Sequence, residues 1–369
     1  MKRVNKIYND ITSLENIMNM YDTKVKPNTK NKIKIEKFDD YYTENIMSIK
    51  NILDNKVYDG GKYNLFVIKD PKVRLIMSQN IGDKIINHLV SHYFLVKYFD
   101  KSLINENVST RVDKGLHYGM KLLKKYLNEL KGNSFYILKF DISKYFYNLD
   151  HDIIKKLIRK KIKDKDALNI LDKIIDSTDK DYINIEIDRL EKLHKVQLPR
   201  YKKGKGLPIG NMSSQILSII YLNELDHYIK EELHIKYYIR YCDDGILIHN
   251  DKEYLKYCLK EIEKIIDKYK LKLNNKTSII NINQGFTFLG YRYYIRNNKV
   301  YMNIKSDVKR RIKRRFKGLK KMIEQGLITK EYFLSVENSY KSHMSYGNCN
   351  SFIKNAINKY HNDIFNNEE

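Results

Sequence analysis

Apolar positions recur along this chain at two periods, and the places where one period gives way to the other mark out its elements. Over residues 1–55 the spacing is helical. Ile7, Ile11, Leu14 and Ile17 share a face, and Ile46, Ile49 and Ile52 repeat the pattern after a polar break at residues 24–34. At Tyr63 the period drops to two, which predicts strands over Tyr63–Ile68 and Val73–Met77 joined by a Lys69–Lys72 turn. Ile81, Ile85, Leu89 and Tyr93 predict a buried helix over 81–98, and a polar turn at Ser109–Gly115 leads into another that ends near Leu130. A strand then runs from Phe135 to Asp141, followed by charged helices over 152–178 and a basic, poorly periodic stretch at 186–206. Ile216, Ile219, Ile220, Leu222, Leu225 and Ile229 predict one long helix, started by Ser213 or Ser214 as cap. Tyr237–His249 reads as a hairpin with Asp243-Asp244-Gly245 at its tip. An amphipathic helix over 253–268, a strand and tight turn at 285–291, and a helix with Val308, Ile312, Phe316, Leu319 and Ile323 in one stripe complete the chain.

Charge changes the picture more than composition does. Lys and Arg total 70 against 45 Asp and Glu, a net charge of +25 over 369 residues, and such a surplus calls for a polyanionic partner. The last helix is densest: Lys309, Arg310, Arg311, Lys313, Arg314, Arg315, Lys317, Lys320 and Lys321 leave the apolar stripe free and offer phosphates the other faces. No apolar run reaches 18 residues, so no membrane span is expected. The start of the chain lacks an apolar signal core, and the 3 cysteines stand apart without ligand spacing, which fits a cytoplasmic protein.

Three carboxylates carry the candidate chemistry. Asp243 and Asp244 repel each other on a tight turn, a pairing that a hard divalent ion with oxygen ligands stabilises. Asp141, at the end of an apolar strand, supplies a third carboxylate, and three can serve two ions. Lys69, Lys72 and Arg74 cluster near the first hairpin's turn, where Arg can grip a triphosphate as a fork and Lys as a point charge. Between these sites Gly206-Leu207-Pro208-Ile209-Gly210 forces a turn whose backbone can approach a flat ligand.

In this order, Phe140-Asp141-Ile142-Ser143-Lys144-Tyr145-Phe146, Gly206 through Gln215, Tyr241-Cys242-Asp243-Asp244, Lys276-Thr277 and Phe288-Leu289-Gly290 resemble the reverse transcriptase family from about residue 60 to 350. The resemblance implies an α/β (α+β) right-hand polymerase fold with fingers, an antiparallel-sheet palm and a helical thumb. It divides the chain into an N-terminal helical extension (1–58), fingers and palm (59–300) and a basic thumb (301–369). It implies RNA-templated DNA synthesis with two Mg²⁺, for which Mn²⁺ can substitute, held by Asp141, Asp243 and Asp244 with the Ile142 carbonyl beside them. Arg74 and Lys69 would hold the dNTP triphosphate, Phe146 would exclude a ribose 2′-hydroxyl, and Lys276 would protonate the leaving pyrophosphate. Pro208, Gly210 and Gln215 fall in the template and nucleotide block. Partners implied are an RNA template, a primer strand, their RNA–DNA hybrid and dNTPs, with no membrane.

Within the family, Ile209 and Ser214-Gln215 depart from the more usual Gln and Ser-Pro. With Tyr221-Leu222-Asn223-Glu224-Leu225-Asp226 and Ser345–Asn350, they resemble reverse transcriptases of diversity-generating retroelements, which copy template adenines with errors and work with a small basic accessory protein. An antiphage-defence reverse transcriptase with the same chemistry, protein-primed or untemplated and working on a cognate structured RNA, is the alternative. A non-catalytic RNA-binding protein is the distant one, because a binding module gains nothing from carboxylates clustered near phosphates.

Overall fold

Runs rich in β-branched and aromatic residues form the strands of this chain, whose residues 3–365 are described by a computed structural model. In order they are β1 (Tyr63–Ile68), β2 (Arg74–Gln79), β3 (Tyr136–Phe140), β4 (Tyr237–Tyr241), β5 (Asp244–His249), β6 (Ser278–Asn281), β7 (Phe286–Phe288), β8 (Tyr291–Arg296) and β9 (Lys299–Ile304). They pair as the hairpin β1-β2, a sheet in the order β4-β5-β3-β6, and the meander β7-β8-β9. The recorded registers are antiparallel, so the fold is mixed helix and sheet with antiparallel sheets, as expected.

Two compact units divide the chain, and each is assembled from separated stretches. The first comprises Met1–Val112, Phe140–Gly245 and Tyr257–Thr277. Its helices at Leu14–Met20 and Tyr42–Asp54 bury Ile17, Ile46 and Ile49 as the spacing predicts, while Leu14 is exposed. The helix beginning at Ile81 reaches Phe99, but Val90–Val96 is widened to i→i+5 bonding. That extra residue per turn rotates the buried face onto Val90, Phe94 and Leu95 and leaves Tyr93 half-buried.

Three sequence expectations need correction here. The stretch read as irregular from residue 186 is a helix, Tyr182–His194, whose Ile183, Ile187 and Leu190 pack with Leu65, Leu75 and Met77 of the β1-β2 hairpin. Its charges pair locally, Arg189 with Glu186 and Arg200 with Glu191 at 2.6 Å, which blurred the periodicity. The long helix over 216–229 breaks at Leu222 into Met212–Tyr221 and Asn223–His227, and Asn211 rather than a serine precedes it. The charged helices over 152–178, whose Lys155, Lys156, Arg159, Lys160, Lys161 and Lys163 read as a solvated or nucleic-acid-facing surface, are in part already paired: Lys155 meets Asp176 at 2.6 Å, Arg159 meets Asp172, and Lys160 meets Glu224.

The second unit comprises Asp113–Lys139, Ile246–Lys256 and Ser278–Glu369. Leu116–Leu130 packs against β9 in it, and the meander precedes the basic helix Ser306–Glu324. That helix buries Ile312, Phe316 and Leu319, and Phe316 meets Phe333 edge-on at 5.7 Å. Lys313, Arg314, Arg315 and Lys317 are exposed on its other faces, so the amphipathic reading holds. Among the described residues no helix is long and apolar enough to cross a membrane.

Candidate active site

The turn of the β4-β5 hairpin begins one residue earlier than the sequence suggests, so the acids sit later in it. β4 ends at Tyr241, Cys242 and Asp243 form the two-residue turn, and Asp244 and Gly245 already belong to β5. Cys242 takes the left-handed conformation at φ +57°, the position that favours glycine in such turns. Burial, then the charge of Asp243, pushes its thiol up to about 12, so it stays protonated.

Beneath the turn lies a fully buried ion pair. Arg240 donates from Nε to Asp226 Oδ1 and from Nη2 to Oδ2, both at 2.6 Å, and neither side chain has solvent exposure. Its Nη1 donates to the Cys242 carbonyl at 2.7 Å, and Nη2 also reaches the Ile219 carbonyl at 2.9 Å. Asp226 further accepts from the Tyr238 hydroxyl at 2.8 Å and the Asn107 amide at 3.3 Å.

Asp141 follows the last residue of β3. Its carbonyl accepts from Asn274 N–H at 2.7 Å, and Ser143 N–H donates to the Lys272 carbonyl at 2.9 Å, so backbone bonds on both sides fix the segment. Gly245 sets the lateral spacing. A Cβ there would lie 2.1 Å from the tip of the Phe140 ring, so only glycine lets the strands close. Gly245→Ala is expected to destabilise the protein by about 1–3 kcal/mol through overpacking. Adding Phe140→Leu should recover part of that loss in a denaturant titration. No recovery would show that the ring is not what the methyl meets.

Burial, then the charge of Asp244 and that of Asp141, pushes Asp243 up to about 7, and the Asp141 carboxyl is within its hydrogen-bonding reach. Carboxylates crowded until one is held near neutral form the donor set that a hard divalent cation stabilises, so these residues fit such an ion.

A cleft of about 580 Å³ opens beside Asp243 and Asp244, and Asp141 is not in its lining. Arg74, Phe146, Pro208, Gly210, Gln215, Asp243 and Asp244 all line it. The glycine-proline loop is stitched on both sides: Leu207 N–H donates to the Phe146 carbonyl at 2.8 Å, and Met77 N–H donates to the Ile209 carbonyl at 2.9 Å. Gly210, at φ +139°, leaves room for the Met77 carbonyl, which a Cβ would meet at 2.5 Å. Close packing on β2 therefore suffices to explain this glycine.

The family model described as reverse transcriptase (RNA-dependent DNA polymerase) matches residues 67–293, a span that holds all three acids. The chain belongs to the reverse transcriptase family. It is similar to Protein YkfC of Escherichia coli (strain K12), with 26% identity over 49% of this chain and 53% of that protein. The chain thus spans about half the length of the curated relative it matches. Among solved structures it is similar to an apo telomerase from Candida tropicalis truncated of its C-terminal domain. There the identity is 17%, the coverage 67% of this chain and 55% of that one, and the TM-score 0.44.

Not every residue anticipated for a reverse transcriptase lines the cleft. Lys69 points elsewhere, its ammonium donating to the His194 carbonyl at 3.3 Å. Ile142 is buried and forms a bridge with Leu273, and Lys276 is exposed two residues beyond Asn274. Among the described residues, three ligand atoms lie within 4.8 Å of one another at His151, Asp176 and Asp179 rather than at the aspartate trio. Lys155 already holds Asp176 there, and His151 Nε2 faces the Gly206 carbonyl at 2.8 Å, so that cluster braces the loop. Sequence reading assigns no role to Arg240 or Asp226 and a turn role to Gly245, which instead makes room for the Phe140 ring. The available signal was an arginine in the middle of a strand otherwise too apolar to face water.

Proposed function

We propose that this protein synthesises DNA on an RNA template, as the reverse transcriptase of a diversity-generating retroelement. The observation that carries the reading is the meeting of Asp243 and Asp244 with Arg74 and Phe146 around one cleft, with Asp141 in reach of Asp243. Asp141 and Asp243 would hold two Mg²⁺ ions, with Asp244 and the Ile142 carbonyl adjacent. Bound there, the ions supply Lewis acidity for the primer 3′-hydroxyl and for the transferring phosphoryl group. In this reading Arg74 binds the incoming triphosphate with its planar fork, and Lys69 turns from the His194 carbonyl to join it. Lys276 protonates the departing pyrophosphate, and Pro208, Gly210 and Gln215 form the wall against template and nucleotide. Residues 59–300 serve as fingers and palm, 301–369 as thumb, and 1–58 as an extension. The retroelement assignment is supported by Ile209 and Ser214-Gln215, with Gln215 exposed on the cleft wall.

Phe146 is the residue whose ring would meet a ribose 2′-hydroxyl. Phe146→Ala is expected to raise incorporation of ribonucleotides relative to deoxynucleotides at least tenfold, read by primer extension with paired rNTP and dNTP. Unchanged sugar selectivity removes this assignment.

A polynucleotide partner is supported by a second cavity, of about 250 Å³, which shares Gly210 with the first. Lys24, Lys84, His88 and the exposed Phe66 line it, and no carboxylate does. Burial, then Lys34, lowers the Lys84 pKa, while burial, Lys24 and Lys84 lower that of His88, the pattern of cations short of an anion. A cationic groove with an aromatic platform suits a single strand. Lys84→Glu is expected to weaken single-stranded template binding and flatten its salt dependence, and Phe66→Ala to cost about 1–3 kcal/mol by lost stacking. Fluorescence anisotropy at two salt concentrations reads both, and unaltered binding in both variants excludes this groove from the template path.

The deciding test is incorporation of labelled dNTPs on an RNA template annealed to a DNA primer, with Mg²⁺, against DNA-template and no-template controls. RNA-dependent extension with errors opposite adenine supports the reading. Product without template, or label on the protein, overturns the retroelement assignment in favour of a defence enzyme.

A further inference from the structure

We infer that Arg240 is a positioning residue for the catalytic acids, its guanidinium holding the left-handed turn at Cys242 from which Asp243 and Asp244 are presented. A non-glycine residue at φ +57° persists where its surroundings over-determine it, and the Cys242 carbonyl is the group that Arg240 Nη1 grips at 2.7 Å. The grip is rigid because the guanidinium is spent on all sides. Two 2.6 Å bonds fix it to Asp226, a third contact fixes it to the Ile219 carbonyl, and Tyr238 and Asn107 orient Asp226 in turn. The backbone of Arg240 is clamped as well, donating to the Glu106 carbonyl and accepting from Val108 N–H, both at 3.0 Å. A buried charge pair is weak as a source of stability compared with apolar packing of the same volume. Its geometry accounts for its presence: one planar fork ties Asp226 and the Ile219 carbonyl to the carbonyl immediately before Asp243. Lysine cannot replace it, since a single ammonium does not span Asp226, Ile219 and the Cys242 carbonyl together.

The closing experiment uses the full chain and variants Arg240→Lys, Cys242→Gly and their combination. The first readout is peptide-resolved alkylation by iodoacetamide, because the half-buried Cys242 keeps its thiol against Ser218 Oγ at 3.5 Å while Cys258 and Cys349 are buried elsewhere. In Arg240→Lys, alkylation of Cys242 is expected to accelerate at least tenfold with Cys258 and Cys349 unchanged. The second readout is the Mg²⁺ concentration for half-maximal primer extension, expected to rise at least fivefold in Arg240→Lys. The combined variant should return to within twofold of Cys242→Gly alone, since glycine adopts positive φ without being held. A merely structural role would give no such rescue. Should Arg240→Lys not fold, Asp226→Leu/Arg240→Met keeps a packed core without the grip, and the same acceleration is expected there. An unchanged Cys242 rate, or acceleration shared equally by all three thiols, overturns the inference. Its Mg²⁺ arm rests on the polymerase reading. A parent protein that never extends a primer sinks that reading, whereas alkylation still decides whether Arg240 holds the turn.

Discussion

Asp243→Asn is expected to lower RNA-templated primer extension by on the order of 10³-fold while stabilising the protein in chelator. The first half follows from the loss of a carboxylate proposed to ligate metal, where several kcal/mol of transition-state stabilisation are at stake and each factor of ten takes about 1.4 kcal/mol. The second half follows from crowding. Folding raises Asp243 from 3.8 to about 7, through burial first and then Asp244 and Asp141, so the folded chain binds a proton there that the unfolded chain releases. Where the folded state holds the extra proton, stability falls as the pH rises. The metal-free protein should therefore lose stability progressively between about pH 4 and pH 7 and show no further loss from this group above that range. Asparagine carries no charge at any pH, so the variant should lack this component of the slope and melt higher than the parent at pH 8. Thermal melts at pH 5 and pH 8 in chelator, beside extension assays in Mg²⁺, test both halves. A variant that still extends primers within tenfold of the parent defeats the assignment of Asp243. One that melts lower at pH 8 defeats the crowding argument.

The other large effect lies away from substrate. Asp226→Ala leaves the Arg240 guanidinium buried without its counter-ion, and breaking one side of a buried pair is expected to cost about 3–5 kcal/mol. Two further groups lose a partner, the Tyr238 hydroxyl and the Asn107 amide. Asp226→Leu combined with Arg240→Met removes both charges and should recover most of the stability, because apolar side chains of similar volume replace such pairs at little cost. It should not recover extension, since the Cys242 carbonyl still lacks its donor. Chemical denaturation of the single and double variants separates the two terms. A single variant as stable as the parent would mean that water reaches Arg240.

Much of this site is legible in the sequence because its parts are local. Asp141 stands out because an acid ends an apolar strand, and Asp243-Asp244 because two acids interrupt one, and the first hairpin with Arg74 follows from period-two alternation. What sequence reading loses is long-range. Asp226 and Arg240 are 14 residues apart and cancel each other inside the protein, and neither residue in the sequence names the other as its partner. The helix Tyr182–His194 hides for a related reason: Arg189 pairs with Glu186 within it and Glu191 with Arg200 just beyond it, so net composition says little about which face is buried. The turn is misplaced by one residue because Asp-Gly is the usual hairpin signal, and here Gly245 is needed for its missing side chain rather than for its φ.

The contact between the Phe140 ring and Gly245 has a consequence for altering this enzyme. Asp141 is the next residue after one partner and Asp244 the residue before the other, so the ring acts as a gauge block that sets how far apart two chain segments bearing acids can lie. Its thickness is a covalent dimension, indifferent to salt, pH or ligand. Changes at Ile209 or Gln215, which line the cleft, therefore leave the acids' spacing untouched. A change at residue 140 or 245, by contrast, alters the calibration for every substrate at once.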